Sequence, residues 1–403
     1  MGTPNQTRVD VVAGPGVNIE SEAVRQLHRV AELPGCVRTV GMPDLHPGPG
    51  IPIGMATASD SHVHPTLVGS DAGCGVTAAI ARKVVGPAKR LRRIERATAE
   101  RPSLPVDPLE ALEAAWYGGP RGLAALPDMP EAFAAWVENV PWGHTHTESG
   151  PLPPALREAR FGQALGTTGG GNHFLELARI ESVHEEDAMD GLRRGAFVVL
   201  AHSGSRGLGR ALVERWQTHA LGDPQEAERY LGELAGCCRF AQANRALLVW
   251  RMLEAIGSGR ADRVSASLDL VHNDVSRSEG AWVHRKGAAP ARAGELTITL
   301  GSRGTPSWIL RGRGSEAHLC SVAHGAGRRI PRSESKARLC HRYKRTELRK
   351  TTTGADVLCD RPELLWEEHP DNYKPIEPVV AALEQADIAT RVASLVPVVT
   401  VKR

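Results

Sequence analysis

A carboxylate and a thiol, Asp71 and Cys74, stand three residues apart in a glycine-rich stretch of the chain. Glycines at positions 69, 73 and 75 allow backbone conformations that other residues resist, so the loop can turn both side chains toward one point. A carboxylate and a thiolate that converge repel each other unless a cation lies between them. The stretch therefore suggests a metal site. The alternative is a glycine-rich turn with a buried structural cysteine.

Three histidines in loops could supply further metal ligands. His202 and His272 come directly after short apolar runs and precede small or polar residues, whereas His173 follows three successive glycines and Asn172. A single histidine of this kind is commonly structural. Three of them in a chain that also has the carboxylate–thiol pair favour a metal centre.

Two glycine-rich loops are suited to a phosphate or a base. The glycines at 169–171 expose backbone N–H groups that can cradle a phosphate, and Asn172 could hold a phosphate oxygen. The loop at 301–307 places Ser302 and Arg303 between glycines. Each loop alone is also compatible with an ordinary turn.

His324 has different neighbours, with glycine at 325 and 327 and then Arg328 and Arg329. Small neighbours permit the close approach of a bulky ligand, and arginine is a preferred phosphate partner because its guanidinium is planar and always charged. This is the chemistry expected of a histidine that attacks a phosphoryl group. The alternative is a turn with a capping histidine. Arg206 and Lys286 offer further phosphate contacts or are solvated surface charges.

Short strands and helices are predicted to position these groups. An apolar strand at 197–200 delivers His202 into its loop, and a strand at 296–300 leads into the loop at 301. A helical pattern extends from 212 to about 256 and is interrupted at 222–224.

Two further segments are predicted from their patterns alone. The proline- and glycine-rich segment 42–54 is expected to lie outside any helix or central strand. Near the C-terminus the pattern predicts a helix at 379–395 and then a strand at 396–401.

The composition bounds the class of protein. Of 403 residues, 41% are hydrophobic and 4% aromatic, and 42 glycines with 28 prolines predict much turn and loop structure. The seven cysteines are odd in number without CxxC spacing, and neither a signal-like apolar segment nor a long apolar run is visible. We therefore expect a cytoplasmic protein with reduced thiols and no membrane segment.

The formal net charge of +3 says little about partners, but basic residues cluster at 89–93, 328–332 and 342–345. Such patches suit phosphate or nucleic acid, although a solvated helix face is favoured for 89–93. The motifs extend from about residue 40 to the last residues without an internal repeat or low-complexity linker. We therefore predict one compact α+β domain at 1–403, in which about 84–160 form a peripheral segment without assigned chemistry.

Together these motifs resemble those of the RtcB family of RNA ligases, from about residue 40 to Lys402. The order and number of the matching segments make the resemblance specific. They are MPDLH (42–46), SDAGCG (70–75), GGGNHFLE (169–176), HSGSRG (202–207), HN (272–273), HRKG (284–287), GSRGT (301–305) and HGAGR (324–328).

The resemblance implies a fold of the RtcB type, with loops converging on a dinuclear metal site. It implies a GTP- and Mn²⁺-dependent ligase for RNA repair or tRNA splicing. Such a ligase joins a 3′-phosphate or 2′,3′-cyclic phosphate end to a 5′-hydroxyl end through a histidine–GMP intermediate. Cys74 would bridge two Mn²⁺ ions, with His173 and His202 completing one and Asp71 and His272 the other. Ligand softness alone favours Zn²⁺, so Mn²⁺ comes only from the resemblance.

The resemblance also assigns roles around the nucleotide. His324 would be the nucleophile that takes GMP, and Arg206, Lys286 and Arg328 would lie near phosphates or RNA ends. The residues expected to contact the nucleotide are Asn172, His173, Phe174, Leu175, Glu176, His272, Asn273, Gly301, Ser302, Arg303, Ser307, His324, Gly325, Ala326, Gly327 and Lys402.

Departures from the common family pattern indicate a divergent branch. Pro49 stands where lysine is frequent, Ser70 and Ala72 flank Asp71 where valine and isoleucine are common, and Arg303 replaces a common methionine. The branch suggested is the bacterial one associated with a release-factor-like partner. Two other functions stay open: a dinuclear metal phosphoesterase that opens cyclic phosphate ends without ligation, and a non-catalytic RNA-binding protein with a structural metal.

Overall fold

The computed structural model describes residues 7–99, 104–143, 148–216 and 220–402. They form a compact mixed α+β fold, as predicted, with an eight-stranded, a five-stranded and a two-stranded sheet. The helices of this part of the chain are α1 Ser21–Ala31, α2 Pro87–Ala99, α3 Pro108–Ala124, α4 Glu131–Glu138, α5 Ala159–Gly162, α6 Gly207–Arg215, α7 Pro224–Ile256, α8 Arg332–Leu339, α9 Pro362–Glu367 and α10 Ile376–Gln385. The strands are β1 Arg8–Val11, β2 Cys36–His46, β3 Ile53–Ser59, β4 Gly75–Ala81, β5 Phe174–Val183, β6 Phe197–Ser203, β7 Val264–Val271, β8 Asn273–Ser278, β9 Ala281–Lys286, β10 Ala288–Pro290, β11 Leu296–Thr299, β12 Ser307–Gly312, β13 Ser321–Ala323, β14 Asp356–Cys359 and β15 Ala389–Lys402.

The eight-stranded sheet positions most of the predicted site. Its strands lie in the order β11-β12-β15-β5-β6-β4-β7, and β14 pairs in parallel with β15. Neighbours along that order are antiparallel, so the end of one strand meets the beginning of the next at the same edge. Strand β4 is buried at every position because it lies between β6 and β7 and also contacts α7.

Helix α7 packs against this sheet, and local sequence explains both of its ends. Asp223 Oδ1 accepts hydrogen bonds from the N–H groups of Gln225 and Glu226 at 3.0 and 2.9 Å. Pro224 occupies the first turn, where its missing N–H costs nothing. Gly257, with a φ of 90°, ends the helix in the left-handed region. The break predicted at 222–224 is therefore the N-terminal boundary of α7.

Helices α3 and α4 lie in the segment predicted to be peripheral, and they pack on α7. Trp116, Phe133 and Trp136 are at most 1% exposed and belong to the largest apolar core. Trp116 Nε1 donates to the carbonyl oxygen of Gly150 at 2.8 Å. The assignment of 1–403 to one domain, with about 84–160 at its periphery, stays a prediction.

The five-stranded sheet has the order β1-β2-β3-β9-β8. Contrary to the prediction, residues 42–46 belong to strand β2, which lies inside this sheet. Pro43 is tolerated there because β1 pairs only with residues 38–41, and because the register with β3 shifts between Gly41 and His46. The proline therefore occupies an irregularity in which no ladder hydrogen bond needs its missing N–H.

The C-terminal helix is shorter, and the C-terminal strand longer, than predicted. Helix α10 ends at Gln385, and β15 begins at Ala389. Asp387, with a φ of 51°, turns the chain between them. The sequence at 389–395 fits a helical or a strand period, and pairing with β5 and β12 on both sides selects the strand.

All seven cysteines are free thiols, as expected. Cys340 is exposed and Cys320 half-buried, and the other five are buried. Among the helices of the described ranges, none is both long and apolar enough to cross a membrane.

Candidate metal and nucleotide site

Four strand ends at one edge of the eight-stranded sheet carry four of the predicted metal ligands. Strands β4 and β5 begin there, directly after Cys74 and His173, whereas β6 and β7 end there, around His202 and before His272. The first residue of β4 pairs with the last residues of both β6 and β7, and the first residue of β5 pairs with His202. The antiparallel order thus brings together side chains that are distant in sequence.

The five predicted ligands form one cluster, which we call the metal cluster: Asp71, Cys74, His173, His202 and His272. Cys74 Sγ lies 3.3 Å from His173 Nε2 and 3.4 Å from His202 Nε2. His202 Nε2 lies 3.3 Å from His272 Nε2, and Asp71 Oδ2 lies 2.7 Å from His173 Nε2. Ligand atoms within 4.8 Å of one another form two groups that share Cys74, one with His202 and His272, the other with Asp71 and His173. This grouping differs from the expected division of ligands between two ions, which stays a prediction.

The electrostatics of the metal cluster fit divalent cations. Burial lowers the pKa values of His202 and His272 well below the usual range, so both imidazoles are neutral and keep a lone pair. Burial, together with the Asp71 carboxylate, raises the pKa of the Cys74 thiol, and a bound cation reverses that effect by stabilising the thiolate. His173 Nδ1 is buried without a hydrogen-bond partner among the described residues. One thiol, one carboxylate and three imidazoles are a ligand set for one or two such ions.

Arg245, on α7, supports the loop before β4 and was missed by the sequence analysis. Its guanidinium pairs with Asp269 at 2.9 Å, and both side chains are fully buried. Its Nη1 donates to the carbonyl oxygens of Gly73 and Ser203 at 2.9 and 3.1 Å. Gly73 has a φ of 73°, and an added Cβ would lie 2.7 Å from Cys238 Cα, so α7 packs directly on this loop. An arginine on the apolar face of a helix was the one available signal.

Asn273, predicted to contact the nucleotide, joins three backbone segments around the ligands. Its Nδ2 donates to the carbonyl oxygen of Asp71 at 3.0 Å, and its Oδ1 accepts from Gly287 N at 2.8 Å. Its own carbonyl oxygen accepts from Gly73 N at 2.9 Å. Because β8 begins at Asn273, these bonds hold the two larger sheets together beside the metal cluster.

His324, the predicted nucleophile, is held by a carboxylate that the sequence analysis did not assign to the site. His324 Nδ1 lies 2.7 Å from Asp44 Oδ2, and the Asp44 side chain is fully buried. The centroids of the His324 and His272 rings are 4.8 Å apart. A carboxylate at Nδ1 favours the tautomer with the proton on Nδ1 and the lone pair on Nε2. Asp44 lies in the motif at 42–46, but its partner is 280 residues away.

A cleft of about 1350 Å³ opens beside the metal cluster and His324. The predicted nucleotide and phosphate residues that line it are Asn172, His173, Phe174, Glu176, His272, Asn273, Gly301, Ser302, Arg303, His324, Gly325, Ala326, Gly327, Lys402, Arg206, Lys286 and Arg328. Leu175 and Ser307 are absent from this lining in the described part of the chain. Leu175 packs into the core on the α7 side, because alternate residues of a strand face opposite ways. Ser307 Oγ accepts a hydrogen bond from Gly301 N at 3.0 Å.

Lys402 ends β15 with its ammonium group beside the start of β5. Its Nζ donates to the carbonyl oxygens of His173 and Gly171 at 3.1 and 3.3 Å. Nearby, Thr400 Oγ1 donates to Glu176 Oε2 at 2.6 Å. Burial, opposed by this bond and by Lys402, raises the pKa of Glu176 to about 7. Near neutral pH this carboxyl group can therefore both donate and accept hydrogen bonds in the cleft.

Glu368 is a buried carboxylate that the sequence analysis missed. It collects charges into what we call the Glu368 cluster: Glu368, Arg328, Arg332, Tyr373 and Lys402. Its oxygens lie 2.7 Å from Arg328 Nη2 and 3.3 Å from Lys402 Nζ, and the Tyr373 hydroxyl donates to it at 2.5 Å. Burial alone would raise the pKa of Glu368, but the three cations outweigh burial and lower it to about 2. The guanidinium of Arg328 is thus engaged by Glu368, and no sequence pattern singles out this glutamate.

Three arginines from separate segments surround the glycines at 169–171. A Cβ added at the first glycine would overlap the guanidinium of Arg206. Cβ atoms added at the second and third would lie 3.0 Å from Arg361 Nη2 and 2.9 Å from Arg332 Nη2. Arg206 was predicted, and the other two were not. Glycine at these positions therefore lets cations, as well as N–H groups, reach a phosphate.

Burial lowers the pKa values of two further predicted cations. Burial lowers the pKa of Lys286, at the end of β9, to about 8. Burial also lowers the pKa of Arg303 to about 10. Arg303 Nη2 donates to the carbonyl oxygen of Leu365 at 3.1 Å, while its Nε and Nη1 have no hydrogen-bond partner among the described residues. Arg303 thus has donors left for an anion or a base.

Comparison with known proteins extends over nearly the whole chain. Residues 26–403 match the family model described as tRNA-splicing ligase RtcB. The chain is 36% identical over 415 residues to the RNA-splicing ligase RtcB2 of Escherichia coli, covering 99% of this chain and 97% of that protein. It is 30% identical over 450 residues to the RNA-splicing ligase RtcB of Mycobacterium bovis, covering 94% of this chain and 100% of that protein. The matched range contains the positions of the metal cluster, His324 and Lys402. This chain therefore belongs to the RtcB family of RNA ligases.

Proposed function

We propose that this protein is a GTP-dependent RNA ligase that joins 3′-phosphate or 2′,3′-cyclic phosphate ends to 5′-hydroxyl ends through a histidine–GMP intermediate. Family membership supports RNA ligation in general. The observation that carries the finer proposal is the 2.7 Å pairing of His324 Nδ1 with the buried Asp44, at the wall of a cleft beside the metal cluster.

His324 acts as the nucleophile in the first step. With the proton on Nδ1 held by Asp44, Nε2 carries the lone pair and attacks the α-phosphorus of GTP. A P–N bond forms, the bond from the α-phosphorus to the oxygen bridging to the β-phosphate breaks, and pyrophosphate leaves. Asp44 stabilises the positive charge that the imidazole gains in this step.

Two further steps complete the ligation. An oxygen of the RNA 3′-phosphate attacks the phosphorus of the bound GMP, which moves to the RNA end and restores neutral His324. The 5′-hydroxyl of the second RNA then attacks the activated 3′-phosphorus, loses its proton, forms the phosphodiester and releases GMP. A 2′,3′-cyclic phosphate must first be opened by water to a 3′-phosphate.

The metal cluster would hold two Mn²⁺ ions, with Cys74 shared between them. Bound there, divalent cations supply charge neutralisation for the triphosphate and keep the thiol as a thiolate. The ligand types alone favour zinc, so the identity of the metal as manganese is proposed from the family resemblance.

Of the remaining cleft residues, some suit the base of the nucleotide and others suit its phosphates. Glu176, with a pKa of about 7, and Lys402 suit the hydrogen-bonding edge of a purine. Arg206 and Lys286 suit phosphates, and Ser302 adds a neutral donor to the cleft lining. A cytoplasmic setting, RNA repair or tRNA splicing as the process, and a release-factor-like partner stay predictions.

Transfer of label from α-phosphate-labelled GTP tests the proposal. In the presence of Mn²⁺ we expect the protein to become labelled through an acid-labile, alkali-stable bond. His324→Ala should abolish labelling, and His28→Ala, which changes an exposed histidine of α1, should leave it unchanged.

Product analysis on cyclic-phosphate RNA provides the second part of the test. Joined RNA supports the ligase, whereas opening of the cyclic phosphate without joining supports the dinuclear phosphoesterase. If the metal-loaded wild-type protein never accepts label from GTP, the histidine–GMP proposal is wrong.

A further inference from the structure

One short segment of the chain carries a large net positive charge. Residues 328–350 contain ten arginines and lysines and two glutamates, a formal net charge of +8. Because the whole chain carries +3, the other residues together carry −5. A polyanion is therefore attracted to this segment far more strongly than to the rest of the molecule.

The segment is folded and anchored. It comprises α8, a short 3-10 turn at Glu347–Arg349, and the residues before, between and after them. Leu339 and Leu348 are buried in a small apolar core together with Val357. Tyr343 adds a hydrogen bond from its hydroxyl to Asp371 Oδ2 at 2.9 Å. The charges are therefore displayed on an ordered surface, so binding need not first order a flexible chain.

Most of these cations are exposed and not neutralised by carboxylates. Within the described ranges, the ion pairs of the segment are Arg328 and Arg332 with Glu368, and Arg338 with Glu334. The remaining seven cations are exposed and form no ion pair with described residues: Arg329, Lys336, Arg342, Lys344, Arg345, Arg349 and Lys350. We call these seven residues the basic surface. Uncompensated charges of this kind are the groups that release counterions when they meet phosphates.

The segment 328–350 reaches the cleft at its N-terminal end. Arg332 and Ser333, in the first turn of α8, line the cleft, and Arg332 Nη2 lies against the third glycine of 169–171. The rest of α8 and the turn after it follow directly in the chain. A strand whose end enters the cleft past Arg332 would therefore have its neighbouring phosphates beside the basic surface.

We propose that the basic surface binds the sugar–phosphate backbone of the substrate RNA next to the reacting end. This proposal rests on the proposed ligase function. It adds the location of the part of the RNA that extends outside the cleft. Backbone contacts of this kind position the strand without reading its sequence, so base identity in this region should matter little.

Two triple variants with equal loss of charge test the proposal. The test variant is Lys336→Gln/Arg342→Gln/Lys344→Gln. The matched control is Lys89→Gln/Arg92→Gln/Arg93→Gln, which removes three exposed cations from α2. Fluorescence anisotropy measures binding at several salt concentrations, without GTP. The two probes are a long 3′-phosphorylated single-stranded RNA and a 3′-phosphorylated trinucleotide.

The test variant should bind the long RNA roughly tenfold or more weakly at low salt, with a salt slope shallower by about 2, at about 0.7 per lost phosphate contact. Its affinity for the trinucleotide should be unchanged, because that probe is too short to leave the cleft. The control variant should match the wild type with both probes.

Labelling by GTP separates this proposal from the ligase proposal. Both triple variants should label like the wild type, which also shows that they are folded. If the wild type does not label, the ligase proposal fails whatever the binding result. If the test variant labels but binds the long RNA as tightly as the control, the basic surface does not bind RNA. If the test variant lost affinity only for a polyglutamate probe, the basic surface would be a binding site for an acidic protein, and the proposal would be overturned.

Discussion

The metal cluster and the Glu368 cluster line the same cleft but are held in place by different forces. Four of the five predicted ligands of the metal cluster lie at the ends of paired strands, whose backbone hydrogen bonds set their spacing. The cations of the Glu368 cluster come from a loop, from the first turn of α8 and from the C-terminal strand, and one buried carboxylate holds them. Geometry dominates in the first cluster and charge in the second. We therefore expect substitutions in the first to abolish chemistry, and those in the second to change stability with pH.

The largest effect should come from the residue on which both groups of metal ligands depend. Cys74→Ala should remove metal binding and thereby abolish labelling by GTP, because Cys74 is the one ligand the two groups share. Metal content after dialysis and labelling are measured together. Cys340→Ala, at an exposed thiol, is the control. If Cys74→Ala kept metal binding and labelling, the hypothesis that the side chains at these strand ends form a metal centre would be wrong.

The next effect should arise at the contact between Asp44 and His324. Asp44→Asn should lower the rate of labelling roughly 10³–10⁴-fold, because an amide at Nδ1 favours the tautomer without a lone pair on Nε2. Single-turnover labelling measures the rate, and metal content should not change. Asp60→Asn, at an exposed position, is the control. A rate near that of the wild type would show that Asp44 does not position His324.

A structural effect should follow from removing the support behind the metal cluster. Arg245→Met leaves Asp269 buried and unpaired, which should lower the free energy of unfolding by about 3–5 kcal/mol. Denaturant unfolding measures this change. Arg260→Met breaks an exposed pair with Asp262 and should cost less than about 1 kcal/mol. The double variant Arg245→Met/Asp269→Leu should recover part of the loss, and no recovery would contradict the pairing argument.

The smallest of these effects, and the one most dependent on pH, belongs to the Glu368 cluster. Glu368→Gln should lower the free energy of unfolding by roughly 2–3 kcal/mol near pH 7, less than Arg245→Met because Arg332 is partly exposed and solvent screens it. The folded-state pKa of about 2 lies below the ordinary 4.5, so the stability that ionised Glu368 contributes is present above pH 4.5. It is lost as the pH falls toward about 2.

The difference in unfolding free energy between wild type and Glu368→Gln should therefore shrink as the pH is lowered through this range. Denaturant unfolding at several pH values measures it. Glu363→Gln, at an exposed position of α9, should show no such convergence. A difference that stays constant with pH would mean that charge does not hold this cluster.

The local features of the site could be predicted because each has a short-range signal. Glycines lie within two residues of Cys74, His173 and His324 in the sequence, and the apolar strand before His202 is recognisable by itself. Helix α7 begins and ends where an Asp–Pro pair and a glycine indicate. The prediction from sequence was wrong where tertiary pairing outweighed a local preference. Pro43 disfavours a central strand, but a shift in the register between β2 and β3 accommodates it inside a sheet.

The missed residues have partners far away in the chain. Asp44 meets His324 across 280 residues, and Arg245 holds the loop at Gly73 across 172. Glu368 is one of 46 acidic residues, and no local pattern distinguishes it. Its depressed pKa depends on Arg328 and Lys402, which reach it from different segments.

The amino-acid sequence identifies the family and specifies the available chemistry: the types of the predicted metal ligands, the predicted nucleophile, and the glycines that let backbone and cations come close. Those properties reside in short segments, because backbone preference and side-chain chemistry are local. Which of these groups meet depends on the fold. Strand order and register depend on burial and hydrogen bonding over the whole sheet, so only the folded sheet brings four strand ends together around Cys74.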